Sequence, residues 1–307
     1  MSAQNVINEP SGVLIVHKHA GVTSHDIVGM VRRLFGTRAV GHAGTLDPMA
    51  TGVLVVLLGR AAKATEYLSG GDKRYIATLR LGLTTDTQDT TGTVLTTCEV
   101  IPNEEQLQAA LPAFRGEILQ MPPMYSALKV GGQKLVDLAR QGVVVERRAR
   151  PVTVHALTAV PTDCNTDYTL DVTCSGGTYI RTLCEDIGAS LGCGGAMASL
   201  CRATACGFTL DESVTIEELE RMDREARLAL LRPTESLFSH LPSLTLPAFY
   251  DRLIGNGCAV ALSKLRVVHP LGTRVRLYHP DGRFFALAEV VSTDEGLAIK
   301  SIKTFVL

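Results

Sequence analysis

The 307-residue chain lacks an excess of charge of either sign, because 30 lysines and arginines stand against 31 aspartates and glutamates. The overall charge therefore gives no support to a nucleic-acid partner, and any such function must depend on local charge. Residues 1–10 are polar and no apolar run reaches membrane-spanning length. We therefore expect neither a signal peptide nor a membrane segment. The sequence also lacks internal repeats and low-complexity segments.

The cysteines include no Cys-x-x-Cys pair. This spacing argues against a zinc site, and without a signal peptide a disulfide framework is not expected. We predict small buried thiols in a reducing cytoplasm. The eight cysteines lie at positions 98, 164, 174, 184, 193, 201, 206 and 258.

Residues 41–54 form the most informative stretch, with one carboxylate, Asp47, among glycines at 41, 44 and 52. Glycine permits backbone conformations and close approaches that other residues resist. The apolar run at residues 53–58 predicts a buried strand directly afterwards. Two interpretations of Asp47 follow. Because Pro48 comes next, Asp47 fits the N-cap of a helix; alternatively, a glycine-bounded loop presents it as a working residue.

These fourteen positions read Gly-His-Ala-Gly-Thr-Leu-Asp-Pro-Met-Ala-Thr-Gly-Val-Leu and resemble the signature of the TruB family of pseudouridine synthases. The resemblance implies that Asp47 is the catalytic aspartate. It spans residues 12 to about 240 and is weaker beyond them. One departure lies upstream, where His19 replaces the proline that follows the family's lysine, here Lys18. We interpret that element as packing and loop support.

Residues 73–82 alternate in polarity, which predicts a strand with Tyr75, Ala77, Leu79 and Leu81 on one face. By pattern alone, Tyr75 is an ordinary core or edge aromatic. The resemblance implies a different role, because the family's catalytic tyrosine belongs to a Lys-Arg-Tyr motif that ends here at Tyr75. Such a tyrosine either stacks on the target base or takes a proton from the sugar.

A further helix is predicted after residue 179, with Arg181 in its first turn. A cation at a helix N-terminus is unfavourable unless an anion lies close by. Asp47 is the candidate partner. The family's Gly-Thr-Tyr-Ile-Arg-Thr motif, present at residues 177–182, implies the same pairing.

The resemblance also implies a substrate-binding set. Tyr179 and Leu200 wall the base pocket, and His42 fills the space that the base vacates or contacts the RNA. Cys201 replaces the first arginine of a family Leu-Arg-Arg motif, so one RNA or structural contact is altered there. The full predicted set is His42, Lys63, Tyr179, Leu200 and Arg202.

Two segments carry local positive charge, because residues 129–150 have a net charge of +4 and residues 248–307 a net charge of +3. Residues 129–150 fit either a solvated helix face or a loop that closes on a polyanion. The resemblance implies the second, as part of a basic, tRNA-gripping insert at residues 103–150. It also implies a small PUA-like RNA-binding domain at residues 248–307.

The predicted fold class is α+β. A pseudouridine synthase catalytic domain at residues 10–240 is built on a mixed, mainly antiparallel sheet with flanking helices. A linker-like stretch at residues 239–247 precedes the C-terminal domain, for which short strands and turns are predicted.

The implied function is isomerisation of uridine 55 to pseudouridine in the T-arm of tRNA, together with assistance to tRNA folding. Asp47 acts as the nucleophile on a flipped-out nucleotide and is kept ionised by Arg181. The resemblance implies a cytoplasmic monomer with no metal, cofactor or obligate protein partner.

Two alternatives remain. One is a catalytically silent tRNA-binding or tRNA-folding protein, which the joint presence of Asp47, Tyr75 and Arg181 disfavours. The other is an aspartyl phosphotransferase or hydrolase, which needs an acidic magnesium site or a phosphate loop. The sequence shows neither.

Overall fold

The computed structural model describes residues 9–68, 70–126 and 128–305. The expectation of no signal peptide depends on the polar residues 1–10. Residues 1–8 of that stretch lie outside the described ranges. Within the described residues, eighteen strands form two large sheets and two small hairpins. The strands are β1 (Gly12–Lys18), β2 (Val40–Ala43), β3 (Thr51–Leu58), β4 (Lys73–Leu81), β5 (Leu83–Thr85), β6 (Val94–Thr97), β7 (Gly116–Gln120), β8 (Lys129–Val130), β9 (Gln133–Lys134), β10 (Arg150–Pro161), β11 (Asp167–Cys174), β12 (Gly195–Ala205), β13 (Phe208–Thr209), β14 (Ser243–Thr245), β15 (Val260–Ala261), β16 (Arg274–Tyr278), β17 (Phe284–Thr293) and β18 (Gly296–Thr304).

Eight α-helices and several short 3₁₀ helices accompany the described strands. None of the described helices is long and apolar enough to cross a membrane. The α-helices are α1 (Ser24–Phe35), α2 (Glu104–Ala110), α3 (Leu135–Arg140), α4 (Ile180–Ser190), α5 (Ile216–Arg221), α6 (Arg224–Ala229), α7 (Ala248–Gly255) and α8 (Leu262–Leu265).

The first sheet has nine strands, in the order β1-β3-β12-β4-β11-β10-β7, with β2 on β3 and β13 on β12. Among its described pairings, β3 with β12 is parallel and the others are antiparallel. The predicted mixed, mainly antiparallel sheet is therefore confirmed. Its central strand, β4, buries Tyr75, Ala77, Leu79 and Leu81 on one face, as the alternation predicted.

Helices cover the sheet where their apolar stripes match it. Helix α1 packs Ile27, Val31 and Phe35 against β1 and β3. Helix α4 packs Leu183 and Ile187 into the core that β4 and β11 form. As a result, the first turn of α4 lies beside the loop that precedes β3.

Several local details depend on the residues at the helix ends. Helix α1 is capped by Thr23, because Thr23 and Asp26 complete a capping box. The stretch Gly59–Tyr67 is a 3₁₀ helix. Pro112 ends α2, and the chain continues as a 3₁₀ turn, Leu111–Phe114, since proline cannot supply the α-helical hydrogen bond.

The predicted insert at residues 103–150 is only partly separate from the main sheet. Its first part carries α2, whose Leu107 lies in the main core, and β7, which pairs with β10. The remainder, residues 121–149, contains the β8–β9 hairpin and α3. Ala127, in the stretch that precedes the basic segment, lies outside the described residues.

The C-terminal sheet has the order β14-β16-β17-β18-β15. It confirms a β-rich C-terminal domain and is consistent with a PUA-like fold. The stretch interpreted as linker-like contains β14, which pairs in parallel with β16. The domain also contains the helices α7 and α8 besides the predicted strands and turns.

The two sheets share a hydrophobic cluster. Phe238 lies 5.9 Å from Phe305, ring centre to ring centre, and Leu57 of β3 and Leu287 of β17 join the same cluster. The Tyr67 hydroxyl also donates to the Ile302 carbonyl at 3.2 Å. The C-terminal sheet is therefore packed on the nine-stranded sheet.

All eight cysteines carry free thiols, but the expectation that they are buried fails at two positions. Cys174, Cys184 and Cys193 are buried, whereas Cys164 and Cys258 are exposed.

Candidate active site

Asp47 lies on a loop between β2 and β3 rather than at the start of a helix. The helix-cap interpretation is therefore wrong. The Asp47 carbonyl accepts a hydrogen bond from the Ala50 amide at 3.0 Å, which closes a tight turn. On the other side, the Leu46 amide donates to the buried Ser24 hydroxyl at 2.8 Å. Helix α1 thus anchors the loop next to the carboxylate.

Two fully buried cations hold the same loop from below. The Lys18 ammonium donates to the carbonyls of Pro48 at 3.2 Å and Ala50 at 2.6 Å. Burial lowers the pKa of Lys18 to about 8. The Arg202 guanidinium donates to the carbonyls of Gly44 at 3.0 Å and Val53 at 2.8 Å. The backbone on both sides of Asp47 is therefore tied to buried side chains, which limits its motion.

The hydrogen bonds from Arg202 require a close approach that glycine at position 52 permits. Strands β3 and β12 run in parallel here, and Gly52 lies opposite Arg202. Its φ is +103°, and a Cβ at this position would come within 2.3 Å of the Arg202 carbonyl oxygen. Only glycine accommodates both the conformation and the contact.

Arg181, in the first turn of α4, forms the predicted pair with Asp47. Its Nε lies 2.9 Å from Asp47 Oδ2, and its side chain is 6% exposed. The other guanidinium nitrogens donate to the carbonyls of Thr87 at 2.9 Å and Tyr125 at 2.8 Å. A second carboxylate, Asp89, lies 3.6 Å from Arg181 Nη1. Arg181 is thus fixed by four groups around it.

The electrostatics of Asp47 combine opposing effects. Burial raises the pKa of the Asp47 carboxyl, the Arg181 charge lowers it, and the charge of Asp89 raises it. Desolvation is the largest of these effects, although 37% of the Asp47 side chain remains exposed. Arg181 therefore opposes a tendency of Asp47 to become protonated.

A cavity of about 320 Å³ opens above this carboxylate. Its volume lies at the lower end of the range for small-ligand sites. Tyr75 of β4 lines this cavity. In the sheet, Tyr75 pairs with Val172 of β11 on one side and with Arg202 of β12 on the other. Burial raises the pKa of the Tyr75 phenol, which is therefore neutral near pH 7. Six predicted site residues line this cavity: Asp47, Tyr75, Tyr179, Arg181, Leu200 and Arg202.

Two predicted residues lie away from the cavity wall. His42 lies in β2 opposite Val56, and its Nδ1 is buried with no hydrogen-bond partner among the described residues. Burial lowers the pKa of His42, which favours the neutral imidazole. Lys63 is exposed on the 3₁₀ helix, where its ammonium lies 3.5 Å from the Thr304 carbonyl oxygen.

Sequence reasoning missed several residues of the site. Asp89 was not among the predicted site residues, yet it faces Arg181. Ser126 lines the cavity, is 5% exposed and has no partner for its hydroxyl within the described ranges. Lys73 also lines the cavity and is 8% exposed. The Lys-Arg-Tyr motif was a signal for Lys73, although only its tyrosine was interpreted.

A larger groove of about 1070 Å³ lies elsewhere, between residues such as Pro233 and Phe284. It contains none of the predicted site residues. The described part of the chain also holds no group of three or more His, Cys, Asp and Glu side chains placed to bind a metal ion. The cavity above Asp47 is therefore the candidate site: one carboxylate beside a buried guanidinium, with aromatic and aliphatic walls.

The fold is shared with known complexes. A structure titled "Crystal Structure of a Cbf5-Nop10-Gar1 Complex" aligns with 96% of this chain and 84% of its own, with a TM-score of 0.73 and 25% identity. A second, titled "Crystal structure of the archaeal box H/ACA sRNP Nop10-Cbf5 complex", covers 97% of this chain and 86% of its own, with a TM-score of 0.70 and 23% identity.

Sequence comparison gives the family. Residues 32–180 match "TruB family pseudouridylate synthase (N terminal domain)", and residues 181–239 match "tRNA pseudouridylate synthase B C-terminal domain". The chain belongs to the TruB family of pseudouridylate synthases, which are isomerases.

Similar proteins named "tRNA pseudouridine synthase B" include one from Aromatoleum aromaticum, 43% identical over 91% of this chain and 88% of its own length. Another, from Moorella thermoacetica, is 44% identical over 93% of this chain and 95% of its own length. The predicted family, fold class and enzyme class are thereby confirmed.

Proposed function

We propose that this protein converts uridine 55 in the T-arm of tRNA to pseudouridine, with Asp47 as the nucleophile. The names of its relatives support tRNA as the substrate. The observation that carries the proposed chemistry is the 2.9 Å contact between Asp47 and the buried Arg181 at the wall of a small cavity.

The target base lies within folded RNA and must leave its stack to reach a carboxylate at the wall of a small cavity. The cavity offers the extruded base an aromatic wall at Tyr75 and an aliphatic wall at Leu200. Tyr179 closes a third side. Stacking on an aromatic ring contributes about 1–3 kcal/mol per base, which offsets part of the cost of extrusion.

The reaction exchanges one bond to the sugar for another. Asp47 attacks C1′ as the N1–C1′ bond breaks, and the bonding pair stays with the uracil. The base then turns, C5 bonds to C1′ and displaces the carboxylate, and the proton on C5 is lost. Arg181 keeps Asp47 ionised before the attack and stabilises it again when it leaves.

Tyr75 has two possible duties in this scheme. Its ring supports the base by stacking, and its hydroxyl can relay a proton from the sugar. The raised pKa of the buried phenol means that the hydroxyl works in its neutral form.

RNA binding depends on surfaces outside the cavity. Residues 129–150 are mostly exposed and carry a net charge of +4. The C-terminal domain, with exposed Lys63 beside it, extends the cationic surface, and His42 contacts the RNA near the vacated base position.

We propose a monomer, without an obligate protein partner, that also assists tRNA folding. Free thiols such as Cys258 fit a reducing cytoplasm.

Tritium release tests the proposal, because formation of the C5–C1′ bond expels the hydrogen on C5. A tRNA transcript labelled with [5-³H]uridine should release one equivalent of tritium per molecule. The matched control is the same transcript with cytidine at position 55, which should release none. Binding without release would favour the silent tRNA-binding protein. Release from both transcripts would show that the target uridine lies elsewhere.

A further inference from the structure

Four cations surround the catalytic loop, and three of them are fully committed to protein groups. Lys18 is bonded to loop carbonyls. Arg202 is likewise bonded to loop carbonyls. Arg181 is paired with Asp47 and faces Asp89. The fourth cation is Lys73, and its environment is different.

Lys73 begins β4, two residues before Tyr75, and is 8% exposed. Its ammonium has three donors, and one of them bonds the nearby Gly71 carbonyl at 2.8 Å. Among residues 9–68, 70–126 and 128–305, it has no ion pair and no other hydrogen bond. A Cβ added to Gly44 would lie 3.6 Å from Lys73 Cε, so the lysine stem rests against the catalytic loop.

A buried ammonium without a counter-ion is costly, because the charge has lost water and gained no anion in return. In agreement, burial and the neighbouring Arg202 charge lower the pKa of Lys73. An anion that enters the site offsets part of this cost. Lys73 therefore has both spare donors and an electrostatic need for a negative group.

The position of Lys73 indicates where that anion comes from. Lys73 lines the catalytic cavity and also a second cavity of about 820 Å³, which Tyr67, Cys206 and Arg274 line as well. It thus lies on the boundary between the two. A nucleotide with its base in the first cavity carries its sugar–phosphate backbone past this boundary. The second cavity gives that backbone room.

We propose that Lys73 binds a phosphodiester group directly adjacent to the flipped nucleotide. The inference rests on the proposed RNA substrate. It gives the site a cation that grips the backbone at the point of extrusion, distinct from the cations that position Asp47. Because the contact goes to phosphate, it holds the nucleotide without reading the base.

The test removes each partner of the contact in turn. Substrate RNAs carry one neutral methylphosphonate linkage, placed 5′ or 3′ of the target uridine. For wild-type enzyme, one of these linkages should weaken binding about tenfold, the loss of one charge-assisted hydrogen bond. The Lys73→Met variant should bind unmodified RNA about tenfold more weakly, with a salt slope smaller by about 0.9. It should then be insensitive to the same linkage.

Arg74→Met is the matched control. It removes a charge from the next residue of β4, where Arg74 is exposed and pairs with Asp171. This variant should keep the full sensitivity to the methylphosphonate. Lys73→Arg, which keeps the charge, should also remain sensitive.

Two results would overturn the proposal: wild-type binding that is indifferent to both linkages, or equal sensitivity in Lys73→Met and wild type. The wild-type measurement needs no folded variant, so it can overturn the proposal even if Lys73→Met is unstable. Affinity and tritium release are measured separately. A wild-type enzyme that binds in a linkage-sensitive way without releasing tritium would refute the proposed reaction and leave the phosphate contact standing.

Discussion

The catalytic loop at residues 41–54 and the basic segment at residues 129–150 are opposites in construction. The loop is tied by Lys18 and Arg202 to the sheet beneath it, through carbonyls on both sides of Asp47. The basic segment has two two-residue strands and one six-residue helix. Even its apolar Val144 is 79% exposed.

The difference follows from what each region must do. A reacting carboxylate has to be held within a fraction of an ångström, which requires buried, hydrogen-bonded supports. Attraction of a polyanion requires only charge in reach of the phosphates, and such contacts tolerate motion. Under the proposed function, charge therefore has two uses in this molecule: buried cations build the site, and exposed cations collect the substrate.

The largest effect is expected when the Asp47 carboxylate is removed, because this change separates catalysis from RNA binding. We expect Asp47→Asn to abolish turnover, because an amide cannot attack C1′, while tRNA affinity changes by no more than a few-fold. Tritium release and filter binding measure the two quantities. Asp171→Asn, which removes a half-buried carboxylate that pairs with Arg74 and does not line the cavity, serves as the control. Turnover by Asp47→Asn at a tenth of the wild-type rate would refute the assignment.

Variants of Tyr75 separate its ring from its hydroxyl. Tyr75→Phe keeps the ring, and we expect a single-turnover rate about 10²–10⁴-fold lower, the usual contribution of a positioned acid–base group. Affinity should stay near normal. Tyr75→Leu should lose both functions. If the phenylalanine variant works nearly as well as wild type and the leucine variant fails, Tyr75 is only a stacking platform.

The pH dependence tests the link between Arg181 and Asp47. The rate should fall as pH drops through the pKa of Asp47, since the reaction needs the carboxylate. Arg181 lowers that pKa, so Arg181→Leu should move the acid limb of the single-turnover rate to higher pH. Arg181→Lys, which retains the charge, should move it less. An acid limb that stays in place would show that Arg181 does not control the ionisation of Asp47.

Alanine substitutions at two glycines compare the packing of the catalytic loop with that of the basic segment. Gly52→Ala forces a Cβ to within 2.3 Å of the Arg202 carbonyl oxygen, and we expect it to lower the free energy of unfolding by more than about 3 kcal/mol. Gly142, in the basic segment, has a similar positive φ but no atom within 4 Å of an added Cβ. Gly142→Ala should cost about 1–2 kcal/mol. Urea unfolding measures both, and equal losses would contradict the contrast.

The smallest effects should come from single exposed charges. Arg148→Met and Arg150→Met should each weaken tRNA binding a few-fold and reduce the salt slope by about 0.9 if the side chain contacts a phosphate. The rate at saturating tRNA should not change. A lower saturating rate with an unchanged salt slope would mean that the segment shapes the site rather than collecting RNA.

The predictions that succeeded depended on local patterns. The strand face of Tyr75 followed from a period of two. The pairing of Arg181 with Asp47 followed from the dipole of a helix whose start was recognisable.

The features that the sequence did not reveal depend on contacts between residues far apart in the chain. Burial of Lys18 and Lys73 is set by tertiary packing. Family motifs include both lysines, and the period of two places Lys73 on the face of Tyr75, but a lysine in such a pattern is ordinarily exposed. Strand β14 lies in a stretch typical of a linker and becomes a strand only because β16 supplies its hydrogen bonds. Asp89 was not recognised as a site residue because its partner, Arg181, lies 92 residues further along the chain.

The brace between Arg202 and Val53 joins residues 149 positions apart, and this separation sets an order of events during protein synthesis. Strands β1, β2 and β3 leave the ribosome early, with the catalytic loop among them. Their parallel neighbour β12, which carries Arg202, is made much later. Until it arrives, Lys18 and Ser24 are the earlier-made residues that can hold the loop, and the brace from Arg202 is missing. Under the proposed function, we therefore expect the nascent chain to be inert towards RNA until about two thirds of it has been made.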